Sequence, residues 1–510
     1  MFRRISTLTF VALLIFLCLG MVSAQDREIV IAQGIDIPGF DIHDHNTTAV
    51  EAVHVNIFDY LVMRDADGVL QPALATEWER VSDTEWRFLL REGVKWHDGE
   101  AFSAEDVKYT LERVATDESL QEYNNYKSIR EVEIVNDYEI IIHTHDPDPI
   151  LLNRISRIGS SILPMHYLEE VGWDGFAVDP IGTGPFRFVE WIRDDRVVME
   201  AFEEHWRGRP YWDRIIHRTI PEDSTRVGEL LTGGVDIATN VPVQDTERVE
   251  ESDEVVLKPW PTPRVMLFLV NTAEGKPTSD PRVRAAIDYA IDDQLLVDAV
   301  MGGLGTPTLS RVTPGIDAAP MELYDAYNFD PERAAALLEE AGYAPGELTI
   351  TLQGPVGRYP LDSEILEIVG ALLQESGINT QVEVLEWSAY QERVWDAENI
   401  ENLGFIGLSN SMFDASLGLT PILCDGTYAG RTGWCNEEFD RIVNEALVEL
   451  DPERRAELLA EAFNIAVEEG PMITLFQLEN LAGVNTRLEW EPRLDELLWM
   501  YEAEPAEPAS

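Results

Sequence analysis

LQPALATEWERVSDTEWRFLLREGVKWHDGEAFSAEDVKY, residues 70–109, is the stretch that says most about the fold of this chain. Residues 70–78 predict a short helix, and residues 88–99 predict a strand hairpin closed by an Asp-Gly turn. Ser103, with Asp106 three residues later, is typical of a capped helix start. The stretch contains no residue set typical of a catalytic site, so it indicates a fold before it indicates a reaction.

Strand-like and helix-like segments intermingle along the whole chain, which predicts an α/β fold. With 510 residues the chain is too long for one ordinary domain and suits two large lobes. An apolar content of 45% and 13 Trp supply sizeable cores, which argues against a disordered or fibrous protein.

The N-terminus has the pattern of a secretory signal peptide. Arg3 and Arg4 form a charged region, residues 10–22 are apolar, and Val22-Ser23-Ala24 is a small-residue cleavage site. An apolar run of this length is too short to span a bilayer as a helix, although a retained anchor stays the alternative. We therefore expect residues 1–24 to be removed and the mature chain to be periplasmic or extracytoplasmic.

The formal net charge of −56 is extreme. The negative electrostatic field of such a chain repels nucleic acid and anionic lipid surfaces, so neither is an expected partner. A cationic ligand is one interpretation, and a solvated acidic surface suited to high salt is the other. Because acidic residues are spread along the whole chain, the sequence favours the second, and it leads to the hypothesis of a saline habitat.

Only Cys424 and Cys435 remain after removal of the signal peptide. Two cysteines close in sequence in an exported chain predict a local disulfide, because the compartment is oxidising. Two free, buried thiols are the alternative.

Several short motifs occur in a fixed order over about 450 residues. They are Ile181-Gly182-Thr183-Gly184-Pro185-Phe186, Gly234-Val235-Asp236-Ile237, Asp280-Pro281-Arg282-Val283-Arg284, a helix opened by Asp330-Pro331, and Glu375-Ser376-Gly377-Ile378. Together with residues 70–109 they resemble the family 5 extracytoplasmic solute-binding proteins of bacterial peptide and nickel ABC importers. Each motif is mainly structural, so the resemblance identifies a fold more directly than a ligand.

The resemblance implies a two-lobed, periplasmic-binding-protein-like fold of the class II or cluster C type, with mixed sheets and a hinge. Composition changes near Pro261 and again after Pro471 indicate two crossings between the lobes. The expected divisions are a signal peptide (1–24), lobe I (25–262, with a family-specific subdomain at about 59–178), lobe II (263–480), a C-terminal return to lobe I (481–500) and a disordered tail (501–510).

The resemblance also implies a function: a monomeric carrier that closes on a small solute and delivers it to the membrane permease subunits of an ABC importer. An oligopeptide or dipeptide is the expected solute. A nickel or metal chelate, a glycoside or an opine remains the alternative within transport. An exported hydrolase is the remote alternative, because the sequence has none of the usual nucleophile, zinc or phosphate-loop motifs.

Local matches to the family place candidate ligand-binding residues on both lobes. On the first lobe they are Asn46, Thr48 and Asn240. On the second, Arg358 is expected to pair with a ligand carboxylate as a bidentate fork, with an ordinary surface arginine as the alternative. Trp387, in a family-like Glu-Trp pair, is interpreted as a cleft wall rather than as core.

The segment after Ile406 departs from the family pattern. Peptide binders carry an aspartate here that takes the free α-amino group, and Asp414 reaches that place only with a one-residue shift. In the unshifted register the position belongs to Phe413. Asn410 in the same segment and Phe476 at the second crossing complete the set of ligand-binding candidates.

His43 and His45 are the candidates for a metal site. On a strand they would share a face, and two imidazoles on one face can chelate a metal ion. Solvated loop residues are the alternative, and no cysteine or third histidine has the spacing of a structural zinc site. The sequence therefore predicts neither a metal site nor a cofactor.

Overall fold

The computed structural model describes residues 27–45, 47–394 and 400–506. The predicted signal peptide and Asn46 lie outside these described residues. Across the described ranges, no helix has both the length and the apolar character needed to cross a membrane. Helices are interspersed with strands along the chain, and eleven of the strands form one large mixed sheet. The prediction of an α/β fold is confirmed.

The strands and α-helices have the following bounds. The strands are Glu28–Gln33, Val62–Arg64, Leu70–Pro72, Ala75–Ser82, Glu85–Leu90, Ile129–Asn136, Glu139–Thr144, Phe186–Ile192, Arg196–Ala201, Arg214–Thr219, Ile237–Ala238, Val255–Val270, Gly305–Pro307, Thr349–Val356, Asn379–Glu386, Leu403–Ser409, Met472–Asn485, Leu488–Glu489 and Glu504–Pro505. The α-helices are Thr48–His54, Ala104–Thr116, Tyr123–Tyr126, Leu151–Arg154, Met165–Phe176, Asp223–Leu231, Thr246–Glu250, Pro281–Ala290, Asp293–Leu295, Met321–Tyr324, Pro331–Glu340, Asp362–Glu375, Trp387–Val394, Ala429–Thr432, Glu437–Ala446 and Pro452–Glu469.

Two long antiparallel strands, Val255–Val270 and Met472–Asn485, run through the middle of the large sheet. Prolines at the centre of the first strand have no N–H to donate, and the pairing register shifts between Pro261 and Val265. Side chains bridge the gap: the Thr262 hydroxyl donates to the carbonyl of Leu478 (2.7 Å), and the Gln477 amide donates to the carbonyl of Thr262 (2.7 Å). The two strands therefore stay connected by side-chain hydrogen bonds where the register of their pairing shifts.

The buried apolar side chains form one large core within residues 266–478 and four smaller clusters elsewhere. One of the smaller clusters lies within residues 61–181 and covers the four-stranded sheet of the first half. This distribution supports lobe boundaries near residues 262 and 480 and a subdomain at about 59–178. We retain these boundaries as a proposal.

Several helices begin where the sequence predicts. Ser103 and Asp106 form a reciprocal capping box at the start of Ala104–Thr116. Asp330 and Asp451 each accept a hydrogen bond from a backbone N–H of the helix that follows, and each is followed by a proline at the first helical position. These starts were predictable because all their determinants lie within a few residues.

The short helix predicted for residues 70–78 is wrong. Leu70–Pro72 is a strand paired with Val62–Arg64, and Ala75–Ser82 is a strand paired with Glu85–Leu90. Alanine, leucine and glutamate favour helix locally, but the pairing with distant strands outweighs that preference here. The Asp-Gly turn is present, with Gly99 at φ 95°. It connects two residues, Lys95 and Ala101, that form a single β-bridge, and not two paired strands.

The predicted disordered tail is also wrong for residues 501–506. Glu504–Pro505 pairs with Leu488–Glu489, and the Trp212 indole donates to the carbonyl of Ala503 (2.8 Å). Ala503 is buried in the core of the first lobe. Residues 507–510 lie outside the described residues.

The predicted disulfide between Cys424 and Cys435 is confirmed. We expect replacement of both cysteines by serine to lower the free energy of unfolding by about 3 kcal/mol, because the bridge closes a short loop and restricts the unfolded chain. Thermal unfolding of the variant and of wild type, each with and without reductant, measures this. Reductant should shift only the wild type. Equal shifts in both would contradict the prediction.

Candidate functional site

The carboxyl ends of three neighbouring strands in the second half meet at one edge of the sheet. Thr349–Val356 is parallel to Asn379–Glu386 and to Leu403–Ser409. The antiparallel strand Val255–Val270 places Arg264 opposite Ser409 at the same edge. Loops that follow the carboxyl ends of strands are where open α/β sheets bind ligands, so this edge is the candidate site.

Arg358 lies in the first loop at this edge. The buried carboxylate of Asp362 accepts hydrogen bonds from the backbone N–H groups of Gly357, Arg358 and Tyr359 (2.9–3.2 Å) and so fixes the loop. The Arg358 guanidinium carbon lies 5.0 Å from the Tyr359 ring centroid and 5.3 Å from that of Trp387. The loop therefore presents a cation held against two aromatic rings.

Two more arginines reach the same edge. Arg264 donates to the carbonyl of Gly407 (3.0 Å), and Arg311 donates to the carbonyl of Ser409 (3.4 Å). Among the described residues, neither they nor Arg358 has a carboxylate within 4.0 Å. Burial, together with a smaller effect of the Arg264 charge, lowers the pKa of Arg311 to about 10, although Tyr428 raises it. Partial desolvation and the charge of Arg264 also lower the pKa of Arg358.

Glu496 faces these arginines from the C-terminal segment. Its backbone is left-handed (φ 60°), and its Oε1 accepts from the Asn480 amide (3.4 Å). Its Oε2 is buried and has no hydrogen-bond partner in the described part of the chain. Burial raises the pKa of Glu496, whereas the charges of Arg264 and Arg358 lower it. The site thus contains one carboxylate close enough to influence two of its arginines, without a direct ion pair.

Direct contacts join the two halves beside this site. The Asn153 side-chain amide donates to the carbonyls of Met412 (3.0 Å) and Phe413 (3.1 Å) and to the Asp317 carboxylate (2.9 Å). The Arg64 guanidinium lies 4.7 Å from the centroid of the Phe413 ring. The structure therefore brings the two halves together around the loop that follows Leu403–Ser409.

Asp414 is fully engaged within the chain. Both of its oxygens accept from the Arg455 guanidinium at 2.7 Å, and one also accepts from the backbone and hydroxyl of Ser416. Asn410 donates to the carbonyl of Asp414 (2.9 Å), and both residues are buried. This arrangement gives Asp414 a stabilising role in the loop, and we do not include it among the groups that hold a ligand.

The other predicted ligand-binding residues lie in different surroundings. Thr48 is half-buried at the start of a helix of the first half, and Asn240 is exposed with a left-handed backbone (φ 54°). Phe476 is buried in the core of the second half. The structure thus brings Arg358 and Trp387 together, and Asn410, Phe413 and Asp414 together, while Thr48 and Asn240 lie on the other half.

The predicted common face of His43 and His45 is wrong, because their segment is a turn and not a strand. The Arg113 guanidinium donates to His43 Nδ1 (2.7 Å), whereas His45 Nε2 lies 3.1 Å from His54 Nδ1. Burial lowers the pKa of His43 to about 3 and that of His45 to about 4. Within the ranges that the structure describes, no cluster of three or more histidine, cysteine or acidic side chains is arranged to hold a metal.

Sequence reasoning missed four residues of the site: Arg264, Arg311, Asp362 and Glu496. These residues lie far apart in the sequence, and only the fold brings them to one edge of the sheet. One signal was available for Asp362, since an aspartate shortly after a glycine turn and at the start of a helix is typical of a side chain that caps a loop. The position of Glu496 depends on the path of the C-terminal segment and leaves no local signature.

Residues 69–428 match the model of the bacterial extracellular solute-binding proteins, family 5. The glutathione-binding protein GsiB of Salmonella typhimurium is 28% identical over 473 residues, which cover 90% of this chain and 91% of that protein. GsiB of Escherichia coli O1:K1 has the same identity over the same shares.

Solved structures give the same fold at lower identity. A dipeptide-binding protein of a Pseudoalteromonas species in complex with Met-Leu has a TM-score of 0.78 at 22% identity, covering 94% of this chain and all of that one. The periplasmic binding protein DppA of Helicobacter pylori with the peptide STSA has a TM-score of 0.78 at 24% identity, covering 94% and 98%. These likenesses confirm the predicted two-lobed binding-protein fold.

Proposed function

Because the chain belongs to the family 5 bacterial extracellular solute-binding proteins, we propose that it captures a small peptide between its two lobes and delivers it to the membrane subunits of an ABC importer. It acts by binding and release, without chemical conversion of the solute. Removal of residues 1–24 leaves the carrier outside the cytoplasmic membrane. The relatives named for glutathione and for peptides support a peptide-like solute.

One observation carries the proposal at the level of residues. Arg358 stands at the carboxyl edge of the sheet with its guanidinium against Tyr359 and Trp387, and no carboxylate of the described residues pairs with it. An arginine in this state can take a carboxylate as a two-pronged partner. Tyr359 is buried, whereas the half-buried ring of Trp387 supplies flat apolar area for the body of the solute at little cost in side-chain entropy.

Hydrogen bonds within the loops and strands fix the positions of Arg358, Tyr359 and Trp387 before a solute binds. Asp362 fixes the backbone beside Arg358, and the Tyr359 hydroxyl donates to the carbonyl of Gly407 (3.3 Å). The Tyr390 hydroxyl donates to the carbonyl of Phe405 (2.8 Å), and the Tyr390 ring lies beside that of Trp387, with 6.2 Å between the two centroids. Binding therefore needs little further ordering of these side chains, and the small loss of conformational entropy favours affinity for a small solute.

Calorimetric titration with glutathione and with a panel of dipeptides tests the proposal. We expect at least one of these peptides to bind with a saturable, stoichiometric isotherm. The double variant Arg358→Gln with Trp387→Ala should then bind it more than about tenfold more weakly, a loss of about 1.4 kcal/mol. Arg214→Gln is the matched control, because Arg214 is exposed on a strand of the first half and far from this edge.

Unchanged affinity in the double variant would mean that the site lies elsewhere on the chain. A product that accumulates with time would contradict the carrier role and favour an exported enzyme. Absence of binding by every peptide would contradict the peptide assignment.

A further inference from the structure

We infer that the solute carries at least two acidic groups, which Arg264 and Arg358 hold separately while Arg311 adds a third positive charge behind them. This inference rests on the proposed carrier function and specifies the chemical class of its cargo. The class is an acidic peptide or acidic amino-acid derivative.

The first argument is the absence of direct ion pairs. The chain has 94 acidic residues against 38 basic ones, so an arginine readily finds a carboxylate. Arg493, for example, pairs with both Asp495 and Glu502, and Arg157 with both Glu51 and Glu122. The three arginines of the sheet edge have no such partner among the described residues, although Arg264 lies close enough to repel each of the other two.

The second argument is electrostatic. Like charges gathered at a partly desolvated edge destabilise the chain that holds them, and such arrangements concentrate at functional sites. A net charge of −56 repels an acidic solute at long range, so capture of an anion requires a local positive field. A cationic solute would need no such cluster.

The number of acidic groups follows from the geometry of the donors. One carboxylate is satisfied by the fork of a single guanidinium. Arg264 approaches from the crossing strand and also donates to Gly407, whereas Arg358 approaches from the loop beside Trp387. The three guanidiniums outnumber the one carboxylate that influences two of them, Glu496, by two. If the lobes closed on a solute with a single acidic group, the enclosed site would keep an unbalanced positive charge, which is unfavourable.

Glu496 adds a complementary feature. Its Oε2 is buried without a partner in the described residues, and the residue lies close enough to Arg264 and Arg358 for their charges to lower its pKa. A buried acceptor of this kind is satisfied by an N–H or ammonium group of the solute. Together the groups select a molecule with acidic groups at two positions and a nitrogen donor between or beside them.

An isosteric pair of peptides tests the inference. Ala-Glu and Ala-Gln have the same size and differ by one negative charge. We expect calorimetry to show that wild type binds Ala-Glu at least about tenfold more tightly than Ala-Gln. In Arg264→Gln this preference should fall to about twofold, whereas Arg214→Gln should keep it.

A second measurement does not depend on the choice of peptide. Native mass spectrometry of protein purified from its host detects retained solute, and methyl esterification of the released solute counts its acidic groups by their mass increments. We expect two or more such groups.

The outcomes separate this inference from the proposed function. Equal binding of both peptides, tighter binding of Ala-Gln, or a retained solute with fewer than two acidic groups overturns the inference and leaves the carrier function in place. If no peptide binds and no solute is retained, the inference and the proposed function fail together.

Discussion

Asp414→Asn is expected to lower the free energy of unfolding by about 3–5 kcal/mol. Asp414 and Arg455 are both buried and share two hydrogen bonds of 2.7 Å. The substitution keeps the shape of the side chain but removes its charge, and the buried guanidinium of Arg455 is then left without a counter-charge. Denaturant unfolding of the ligand-free protein, followed by tryptophan fluorescence, measures the loss.

An exposed ion pair of the same lobe provides the control. Arg441 pairs with Glu438 on the surface of a helix at 2.8 Å, and both side chains are more than half exposed. Glu438→Gln removes one charge of this pair and should leave the unfolding free energy nearly unchanged, since water screens such pairs.

The same variant decides between two roles for Asp414. Local similarity to the peptide binders predicts a residue that takes the α-amino group of a peptide, whereas the structure pairs its carboxylate with Arg455. If Asp414→Asn unfolds like wild type but loses affinity for every peptide, the carboxylate belongs to the ligand site. A large loss of stability supports the role inside the loop.

Local determinants explain which parts of the fold were predictable. Ser103, Asp330 and Asp451 cap their helices through atoms that lie within three residues, so the sequence contains the whole arrangement. Residues 70–78 show the opposite case, because their strands depend on partners that a local pattern does not reveal. Strand pairing is a property of distant segments, and helix-forming residues do not prevent it.

The candidate site divides in the same way. Arg358 and Trp387 follow the carboxyl ends of two adjacent parallel strands, and local similarity to the family was sufficient to select both. Arg264 and Glu496 belong to the crossing strand and to the C-terminal segment. Their approach to Arg358 depends on the register of the crossing strands and on a left-handed residue at 496, neither of which a sequence pattern specifies.

Arg157 forms the central contact of a second buried charge network, in the first half. It donates to Glu51 (2.9 Å) on the helix Thr48–His54 and to Glu122 (2.7 Å) just before the helix Tyr123–Tyr126. All three charged residues are buried. Burial raises the pKa of Glu51 from 4.5 to about 7, even though the Arg157 charge lowers it. Arg157 therefore connects segments from two of the core clusters by compensating two carboxylates.

The pH dependence of wild-type stability follows from the sign of this shift. The folded-state pKa of Glu51 lies above its unfolded value, so the folded state binds the proton more tightly. The stabilising contribution of this group is fully present below about pH 4.5 and is lost as the pH rises through about 7. On account of Glu51 alone, wild type is expected to unfold more readily at pH 8 than at pH 5.5.

Arg157→Met should strengthen this dependence and lower the free energy of unfolding by about 3–5 kcal/mol at pH 8, because two buried carboxylates lose their shared cation. At pH 5.5 the loss should be smaller, since a protonated carboxyl group needs no counter-charge. Arg157→Lys, which keeps a positive charge with fewer donors, should lie between the variant and wild type at pH 8. Urea unfolding of the three proteins at both pH values measures these differences. If Arg157→Met loses the same stability at both pH values, Arg157 acts through packing and hydrogen bonds that do not depend on its charge.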